Sequence, residues 1–191
     1  MPIERHPLSP FLPSNAQLLM LGSFPPQEKR WAMRFFYPNF INDMWRIFGL
    51  CFFVDLQHFV LAEQRTFKEQ TLREFLSEKG IAFYDTAVAV RRLSGNASDK
   101  DLEVVEPTHI PSLLKEIPKC KAIATTGQKA TETLCTLFGV KPPAVGEAVK
   151  IKFENREFLF FRMPSSSRAY PMKIEKKATI YAKMFEAVEL L

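Results

Sequence analysis

The chain has 191 residues, 47% of them hydrophobic and 25% charged, which suits one sizeable hydrophobic core and argues against a disordered or fibrous protein. The formal net charge of +5 favours a polyanionic partner, although many basic proteins bind no anion. The three cysteines form no Cys-x-x-Cys pair or Cys/His cluster, which argues against structural zinc and iron–sulfur centres and predicts reduced core thiols.

The N-terminal half of the chain predicts an extended arm followed by strands and helices. Four prolines within residues 1–16 disfavour a helix there, and His6 in this arm has no Cys or Ser partner that would indicate a catalytic role. Apolar periodicity then predicts, in order, the strand Gln17–Leu21, the helices Asn42–Phe52 and Thr66–Glu78, and the strand Ile81–Tyr84. The first strand breaks into a loop at Gly22, and the second ends at Asp85.

The C-terminal half continues the alternation after a polar segment, Arg91–Lys100, which we predict to be a loop. The predicted elements are a helix after Pro107 that runs to Ile117, the strand Lys121–Thr125, the helix Ala130–Leu137, the hairpin strands Val149–Phe153 and Glu157–Arg162, and the helix Ile174–Leu191. Asn155-Arg156 is the predicted turn of the hairpin. Pro164–Pro171 is a second Pro/Ser-rich loop.

This order of elements predicts an α/β fold, a three-layer αβα sandwich with a central, mainly parallel sheet of about four strands, in which residues 1–191 form a single domain. Ligands of such sheets bind outside the carboxyl ends of the strands. Four loops are expected to converge there: Gly22–Pro26, Asp85–Arg92, Thr126–Lys129 and Pro164–Tyr170. We find no basic leader and no apolar run of membrane-spanning length, so we expect a soluble, cytoplasmic protein.

An unusual mixture of aromatic and amide residues follows the first strand. Three consecutive aromatics, Phe35-Phe36-Tyr37, precede a proline, and Asn39 and Asn42 stand at the mouth of a predicted helix. Burial alone does not require this mixture, although Phe35 and Phe36 suit a hydrophobic core. We interpret the segment as the floor and wall of a pocket.

Five segments, in this order, resemble the uracil-DNA glycosylase superfamily, and within it the branch of hypoxanthine-DNA and mismatch-type glycosylases. The segments are Gly22–Pro25, Tyr37–Trp45, Gly80–Asp85, Thr126–Ala130 and Met163–Ser167. They are similar, in turn, to the first motif of the superfamily, to an aromatic segment of the branch that contains an asparagine, to the second strand, to a Gly-x-x-Ala helix start and to the second motif. The resemblance extends from about Leu18 to the last helix.

The resemblance implies a monomeric, monofunctional DNA glycosylase of base excision repair that needs no metal and no cofactor. Its partner would be DNA containing a damaged base, and its reaction the hydrolysis of the N-glycosidic bond of hypoxanthine or uracil flipped out of the DNA. The implied site residues are Asn42 and Asp85 for catalysis, Gly22, Ser23, Phe24 and Tyr37 for base binding, and Gly127, Lys129, Ser165, Ser166, Ser167 and Arg168 for the DNA backbone.

Each of these roles has a physical reason and a simpler alternative. The ring of Tyr37 can stack on a base, which is worth about 1–3 kcal/mol, or belong to the core. An ionised Asp85 can accept an N–H of the base or cap a helix, and the amide of Asn42 can orient a water molecule, cap the following helix, or do both. The helix start at Gly127–Lys129 suits an anion, whereas Ser-rich loops such as Pro164–Ser167 are often only loops.

Three residues depart from the superfamily pattern. Phe24 stands where better-known relatives carry an Asp, Asn or Glu that activates water, and Met163 stands where they carry His or Asn. Ser167 is too small for the apolar wedge of the relatives, so that Arg168 or Tyr170 would have to replace it. These departures leave open a catalytically silent nucleic-acid-binding relative. A small-molecule α/β enzyme, such as a hydrolase of free nucleosides, is a third hypothesis.

Overall fold

A computed structural model of the protein describes residues 1–95 and 98–191. The strands in these ranges are β1 (Ile3–Arg5), β2 (Leu18–Gly22), β3 (Val60–Leu61), β4 (Thr66–Phe67), β5 (Ile81–Asp85), β6 (Ala87–Arg92), β7 (Leu102–Pro107), β8 (Ala122–Thr126), β9 (Ala148–Phe153) and β10 (Arg156–Met163). The helices are α1 (Met44–Phe53), α2 (Glu69–Lys79), α3 (Ile110–Glu116), α4 (Gln128–Phe138) and α5 (Ile174–Ala187). No helix within the described ranges is long and apolar enough to cross a membrane.

The centre of the fold is a five-stranded sheet of order β5–β2–β8–β10–β9. The first four strands in this order are parallel, and β9 pairs antiparallel with β10. Every residue of β2, β5 and β8 is buried, as expected for parallel strands that are covered on both faces by helices. The predicted αβα architecture with a mainly parallel sheet is confirmed, and the outer strand of the hairpin makes the sheet five strands wide.

Aromatic packing joins the sheet to its helices and accounts for much of the high phenylalanine content. The rings of Trp45 and Phe48 on α1 lie 5.3 and 6.0 Å from the ring of Phe83 on β5. Phe48 also contacts Phe185 of α5, at a centroid distance of 5.2 Å. These four side chains are fully buried, so they fix α1, whose first turn borders the site described below.

Two predicted boundaries are wrong. The turn of the hairpin is Glu154-Asn155 rather than Asn155-Arg156, because Glu154 and Asn155 have φ values of +44° and +63°, typical of a type I′ turn, and Arg156 already belongs to β10. Thr66 and Phe67 do not start the second helix. They form β4, which pairs with β3, and this outcome suits a β-branched and an aromatic residue.

A second sheet, with the antiparallel order β1–β6–β7, is missing from the predicted order of elements. The prediction of a loop over Arg91–Lys100 is wrong at both ends. Arg91 and Arg92 are the last residues of β6, and Asp99 starts a 3₁₀ turn. Residues 96–97 of that segment lie outside the described residues. The arm is extended, as predicted, but it is paired: Ile3–Arg5 hydrogen-bonds with β6. Pairing between such distant segments leaves no local periodicity by which to predict it.

The cysteines are free thiols, and Cys120 and Cys135 are buried while Cys51 is half-buried. Burial raises the pKa of Cys51 to about 12 and that of Cys120 to about 11. Both thiols are therefore protonated at neutral pH and are poor nucleophiles.

Candidate active site

The carboxyl ends of the four parallel strands lie side by side at one edge of the central sheet. Gly22 of β2 pairs in register with Asp85 of β5, and Thr126 of β8 pairs with Met163 of β10. Because neighbouring strands lie only about 4.8 Å apart, the loops that follow them surround a common space. This space is a cleft with a volume of about 910 Å³.

The cleft brings together most of the residues predicted to form the site. Those that line it are Gly22, Ser23, Phe24, Tyr37, Asn42, Asp85, Gly127, Lys129, Ser165, Ser166 and Ser167. Arg168 does not line the cleft, because its guanidinium donates a hydrogen bond to Oδ1 of Asp43 at 3.0 Å. Tyr170, the other candidate for the wedge, does line it.

Gly22 allows two functional groups to approach the end of β2. A Cβ atom at this position would lie 2.6 Å from Oδ1 of Asp85 and 3.0 Å from the hydroxyl oxygen of Tyr37. Carbon atoms do not approach oxygen atoms to 2.6 Å without displacement of one of them. The residue is therefore required by the close approach of its neighbours, in addition to its place in the strand.

Tyr37 is held in a fixed position against the sheet. Its hydroxyl group shares a hydrogen bond of 2.5 Å with Oγ1 of Thr126, and its ring meets those of Trp45 and Phe83 edge-on at 6.1 and 6.2 Å. Its backbone has φ of +50°, a left-handed conformation that costs a bulky residue about 1–2 kcal/mol. Burial, with a further contribution from Asp85, raises the pKa of Tyr37 far above its ordinary value, so the phenol stays protonated.

The side chain of Asp85 is bonded to His6, a residue of the arm to which the sequence pattern assigns no role. Nε2 of His6 lies 2.7 Å from Oδ2 of Asp85, and the two side chains are 1% and 8% exposed. Nδ1 of His6 accepts a hydrogen bond from the backbone N–H of Leu8 at 3.1 Å. Nδ1 is therefore the acceptor of the ring, and the N–H on Nε2 is donated to Oδ2 of Asp85. The two residues are 79 positions apart, so no local motif links them.

Replacing His6 with phenylalanine is expected to lower the free energy of unfolding by about 2 kcal/mol, because the buried carboxylate of Asp85 loses a charge-assisted hydrogen bond. The imidazole of His6 stacks on the ring of Tyr84 with their centroids 4.6 Å apart, and phenylalanine keeps an aromatic ring for this contact. Urea denaturation followed by circular dichroism measures the difference.

A matched control for this substitution is His109→Phe. His109 is exposed and bonds to Oγ of Ser112 at 2.6 Å, so its loss is expected to change stability by less than about 0.5 kcal/mol. Equal stability of the His6→Phe variant and the unmodified protein would contradict the bond between His6 and Asp85.

Asn42 immediately precedes Asp43, the N-cap residue of α1, and also lines the cleft. Its Oδ1 accepts a hydrogen bond from the backbone N–H of Met44, the first residue of α1, at 2.9 Å. The amide oxygen retains a second lone pair, and no described residue accepts a hydrogen bond from Nδ2. The buried Arg46 donates to the carbonyl oxygens of Phe40 and Asn42 at 2.7 and 3.1 Å and so fixes this segment. The side chain of Asn42 can therefore accept the N–H of Met44 and hold a water molecule in the cleft at the same time.

Backbone carbonyl groups of the Ser-rich loop, Pro164–Pro171, accept hydrogen bonds from neighbouring elements. The carbonyl oxygen of Ser166 accepts a hydrogen bond from the N–H of Asp43 at 3.0 Å, and that of Ser167 accepts one from Nζ of the buried Lys177 at 2.8 Å. Oγ of Ser165 accepts the N–H of Ser167 at 3.2 Å. Burial lowers the pKa of Lys177, and Asp43 opposes this shift. The loop is therefore fixed to α1 and α5 and presents its edge to the cleft.

The N-terminus of α4 forms the opposite wall. Gly127 precedes the helix with φ of +89°, a conformation that strongly favours glycine, and Gln128 and Lys129 follow it along the cleft. The first backbone N–H groups of an α-helix lack intrahelical acceptors and carry a partial positive charge. Together with the ammonium group of Lys129, this end of the helix gives the wall a positive potential that suits a phosphate.

A second carboxylate in the cleft, that of Asp99, comes from the segment predicted to be a loop and was not assigned to the site from the sequence. Oγ of Ser23 donates a hydrogen bond to Oδ1 of Asp99 at 2.7 Å. Burial raises the pKa of Asp99 above its ordinary value. No group of three His, Cys, Asp or Glu side chains that could hold a metal ion occurs in the described parts of the chain.

Phe24 connects the cleft to the second sheet. Its buried ring packs with Val90 of β6 and Leu102 of β7, and it meets the ring of His6 edge-on at 5.2 Å. Arg92 lies over the same ring at 5.7 Å and pairs with Glu4 of β1 at 3.0 Å. Phe24 is thus an apolar wall of the cleft, and it cannot activate a water molecule.

A solved structure shares this fold. The chain is similar to a putative uracil DNA glycosylase from Methanosarcina acetivorans, whose structure was determined by solution NMR, with a TM-score of 0.64 and 22% sequence identity over 98% of this chain and 99% of the other. No protein-family model and no curated protein matches the chain. The likeness extends over nearly the whole length of both chains, so the protein has the same fold as that structure.

Proposed function

We propose that the protein is a DNA glycosylase that hydrolyses the N-glycosidic bond of a deaminated base, hypoxanthine or uracil, flipped out of DNA. The observation that carries this proposal is that Tyr37 and Asn42, from the connection between β2 and α1, line the same cleft as Asp85, at the end of β5. The name of the solved structure with the same fold supports this class of reaction.

Asp85 would select a deaminated base through its ring N–H. His6 holds Oδ2, and Oδ1 of an ionised Asp85 can only accept a hydrogen bond. Hypoxanthine carries a hydrogen on N1 and uracil carries one on N3, whereas the corresponding nitrogens of adenine and cytosine carry lone pairs that would repel a carboxylate. The site would therefore favour the products of deamination over their parent bases.

Tyr37 and Asn42 would act on the base and on water. The fixed ring of Tyr37 would stack on the flipped base, a contact worth about 1–3 kcal/mol. The free hydrogen-bonding capacity of the Asn42 amide would position a water molecule against C1′ of the sugar. Cleavage builds positive charge on the sugar and negative charge on the departing base, so groups held in advance at these places lower the barrier.

The walls of the cleft would hold the DNA backbone. The N-terminus of α4, Lys129 and the hydroxyl groups of Ser165 and Ser167 are donors of the kinds that contact phosphates. The net charge of +5 adds a general attraction to DNA. We expect a binding constant that falls with salt concentration, as for other proteins that neutralise phosphates.

Base excision from defined oligonucleotides tests this function. The substrates carry one uracil, hypoxanthine or xanthine in single-stranded or double-stranded DNA, and oligonucleotides of the same sequence without a lesion are the controls. Abasic product is measured as strand cleavage after alkaline treatment, and DNA binding is measured in parallel by fluorescence anisotropy. We expect abasic product from uracil- or hypoxanthine-containing DNA and none from the undamaged controls.

Two results would overturn the proposal in favour of its alternatives. DNA binding without abasic product from any lesion would indicate a catalytically silent relative, as the presence of Phe24 and Met163 in the two motifs allows. Cleavage of free inosine without DNA binding would instead indicate a hydrolase of nucleosides.

A further inference from the structure

The proposed reaction requires a group that can take a proton from the attacking water. An amide such as that of Asn42 has no basic site at neutral pH, so it can orient water without accepting its proton. Carboxylates are the usual bases in the hydrolysis of glycosidic bonds. In the described part of the cleft lining they are Asp85, Asp99 and Glu132.

Two of these three carboxylates have other partners. Asp85 is bound by His6 through Oδ2, and its Oδ1 is the acceptor that the proposed function assigns to the N–H of the base. Glu132 is exposed and accepts a hydrogen bond from Nε2 of Gln128 on its own helix, at 2.7 Å.

Asp99 is the remaining carboxylate, and it is half-buried with one bound oxygen and one open oxygen. Ser23 holds Oδ1 at 2.7 Å. Oδ2 lies 3.8 Å from the position that a Cβ atom would occupy at Gly127, on the side of the cleft formed by α4. No described residue donates a hydrogen bond to Oδ2. This arrangement fixes the carboxylate and leaves one of its oxygens for a ligand or a water molecule.

We propose, on the premise that the protein is a DNA glycosylase, that Asp99 is the general base of the reaction. Oδ2 accepts a proton from water while the water oxygen forms a bond to C1′ of the sugar. The bond between C1′ and the base nitrogen breaks, and its electron pair leaves with the base, which later takes up a proton from solvent. Asp99 thereby supplies, from the turn between β6 and β7, the carboxylate that Phe24 cannot supply.

The charges around Asp99 suit this role. Burial raises its pKa, and the neighbouring Asp85 adds to this effect, while the hydrogen bond from Ser23 and the positive charges of Lys129 and Arg92 lower it. A carboxylate whose pKa lies nearer to the working pH is a stronger base. Loss of the Ser23 hydroxyl removes a group that stabilises the ionised form, so it raises the pKa of Asp99 further.

The decisive variant is Asp99→Asn, in which the side-chain oxygen can still accept the hydrogen bond of Ser23. We expect the single-turnover rate of excision to fall about 100-fold, with DNA affinity within about threefold of the unmodified protein. Glu103→Gln on β7, which breaks a surface ion pair with Arg91, is the control and is expected to leave the rate unchanged.

Stability and pH dependence separate a general base from a merely structural residue. Because the folded protein raises the pKa of Asp99, its stabilising contribution is complete below the ordinary carboxyl pKa and is lost as the pH rises through the folded value. Asp99→Asn should therefore unfold at pH 7 at the same or a higher temperature than the unmodified protein, although it is less active. In Ser23→Ala the pKa of Asp99 should be higher, so the pH at which the excision rate falls on the acidic side should also be higher.

An active protein whose Asp99→Asn variant excises at the normal rate would overturn this inference alone. An unmoved acidic limb in Ser23→Ala would also overturn it, and this result does not depend on the folding of Asp99→Asn. Tighter DNA binding without a loss of rate in Asp99→Asn would show that Asp99 merely repels phosphate at α4, which again overturns it. An unmodified protein that is inactive on every lesion would overturn both the proposed function and this inference.

Discussion

Replacement of Asn42 with alanine is expected to lower the excision rate by about 1,000-fold, the upper part of the range for a group that positions charge or water in a transition state. DNA affinity should stay within about threefold, because the proposed phosphate contacts involve other residues of the cleft and such contacts supply most of the binding energy of DNA-binding proteins. The rate is measured under single-turnover conditions on hypoxanthine- and uracil-containing DNA, and affinity by fluorescence anisotropy.

The same substitution also removes a side-chain acceptor at the start of α1. Loss of the acceptor for the N–H of Met44 is expected to cost about 1 kcal/mol of stability. Asn42→Ser restores a hydroxyl that can cap the helix but lacks the reach and the NH₂ group of the amide, so it should regain stability and remain slow. A fast Asn42→Ser variant would contradict water placement by this residue and would leave it as a helix cap.

Gly22→Ala is expected to reduce excision by about 1,000-fold, because the added methyl group displaces two functional groups. A displacement of about 1 Å can cost about 100-fold for one group, and the effects of groups that act in one site are less than additive. The new Cβ atom would lie 2.6 Å from Oδ1 of Asp85 and 3.0 Å from the hydroxyl of Tyr37. Asp85 cannot retreat freely, since His6 holds its other oxygen. Base affinity should fall together with the rate, and competition by free hypoxanthine or uracil measures it.

The matched control for this prediction is Gly95→Ala. No described heavy atom lies within 4 Å of a Cβ atom built at Gly95, so this variant should keep the normal rate. Normal excision by Gly22→Ala would show that Asp85 and Tyr37 do not need their observed positions, and the base-binding role of both would then be wrong.

The central fold could be predicted because its signals are local. Apolar runs such as Gln17–Leu21 and Ile81–Tyr84 are long enough to indicate buried strands, and the glycine and proline residues between them mark the loops. The alternation of strands and helices then implies parallel pairing, which is what brings distant loops to one edge. The convergence of Tyr37 and Asp85 on the same cleft follows from this topology.

The second sheet could not be predicted in this way. Its β6 strand ends in two arginines, Arg91 and Arg92, which are typical of a solvent-exposed loop. Their partners are Glu103 on β7 and Glu4 on β1, which stand 12 and 88 positions away. These ion pairs stabilise charged residues in the small three-stranded sheet, and the pairing of such distant residues produces no periodic pattern in the sequence.

The amino-acid sequence alone was sufficient for the α/β architecture, for the strand ends at Gly22 and Asp85 and for the connection that carries Asn42, because strands, helices and turns depend on neighbouring residues. The tertiary structure decided which groups complete the site. It brought His6 to Asp85 and Ser23 to Asp99 across 79 and 76 positions of the chain. Each of these hydrogen bonds joins two segments whose relative placement depends on the packing of the whole core. They therefore produce no recognisable local pattern of residues in the sequence.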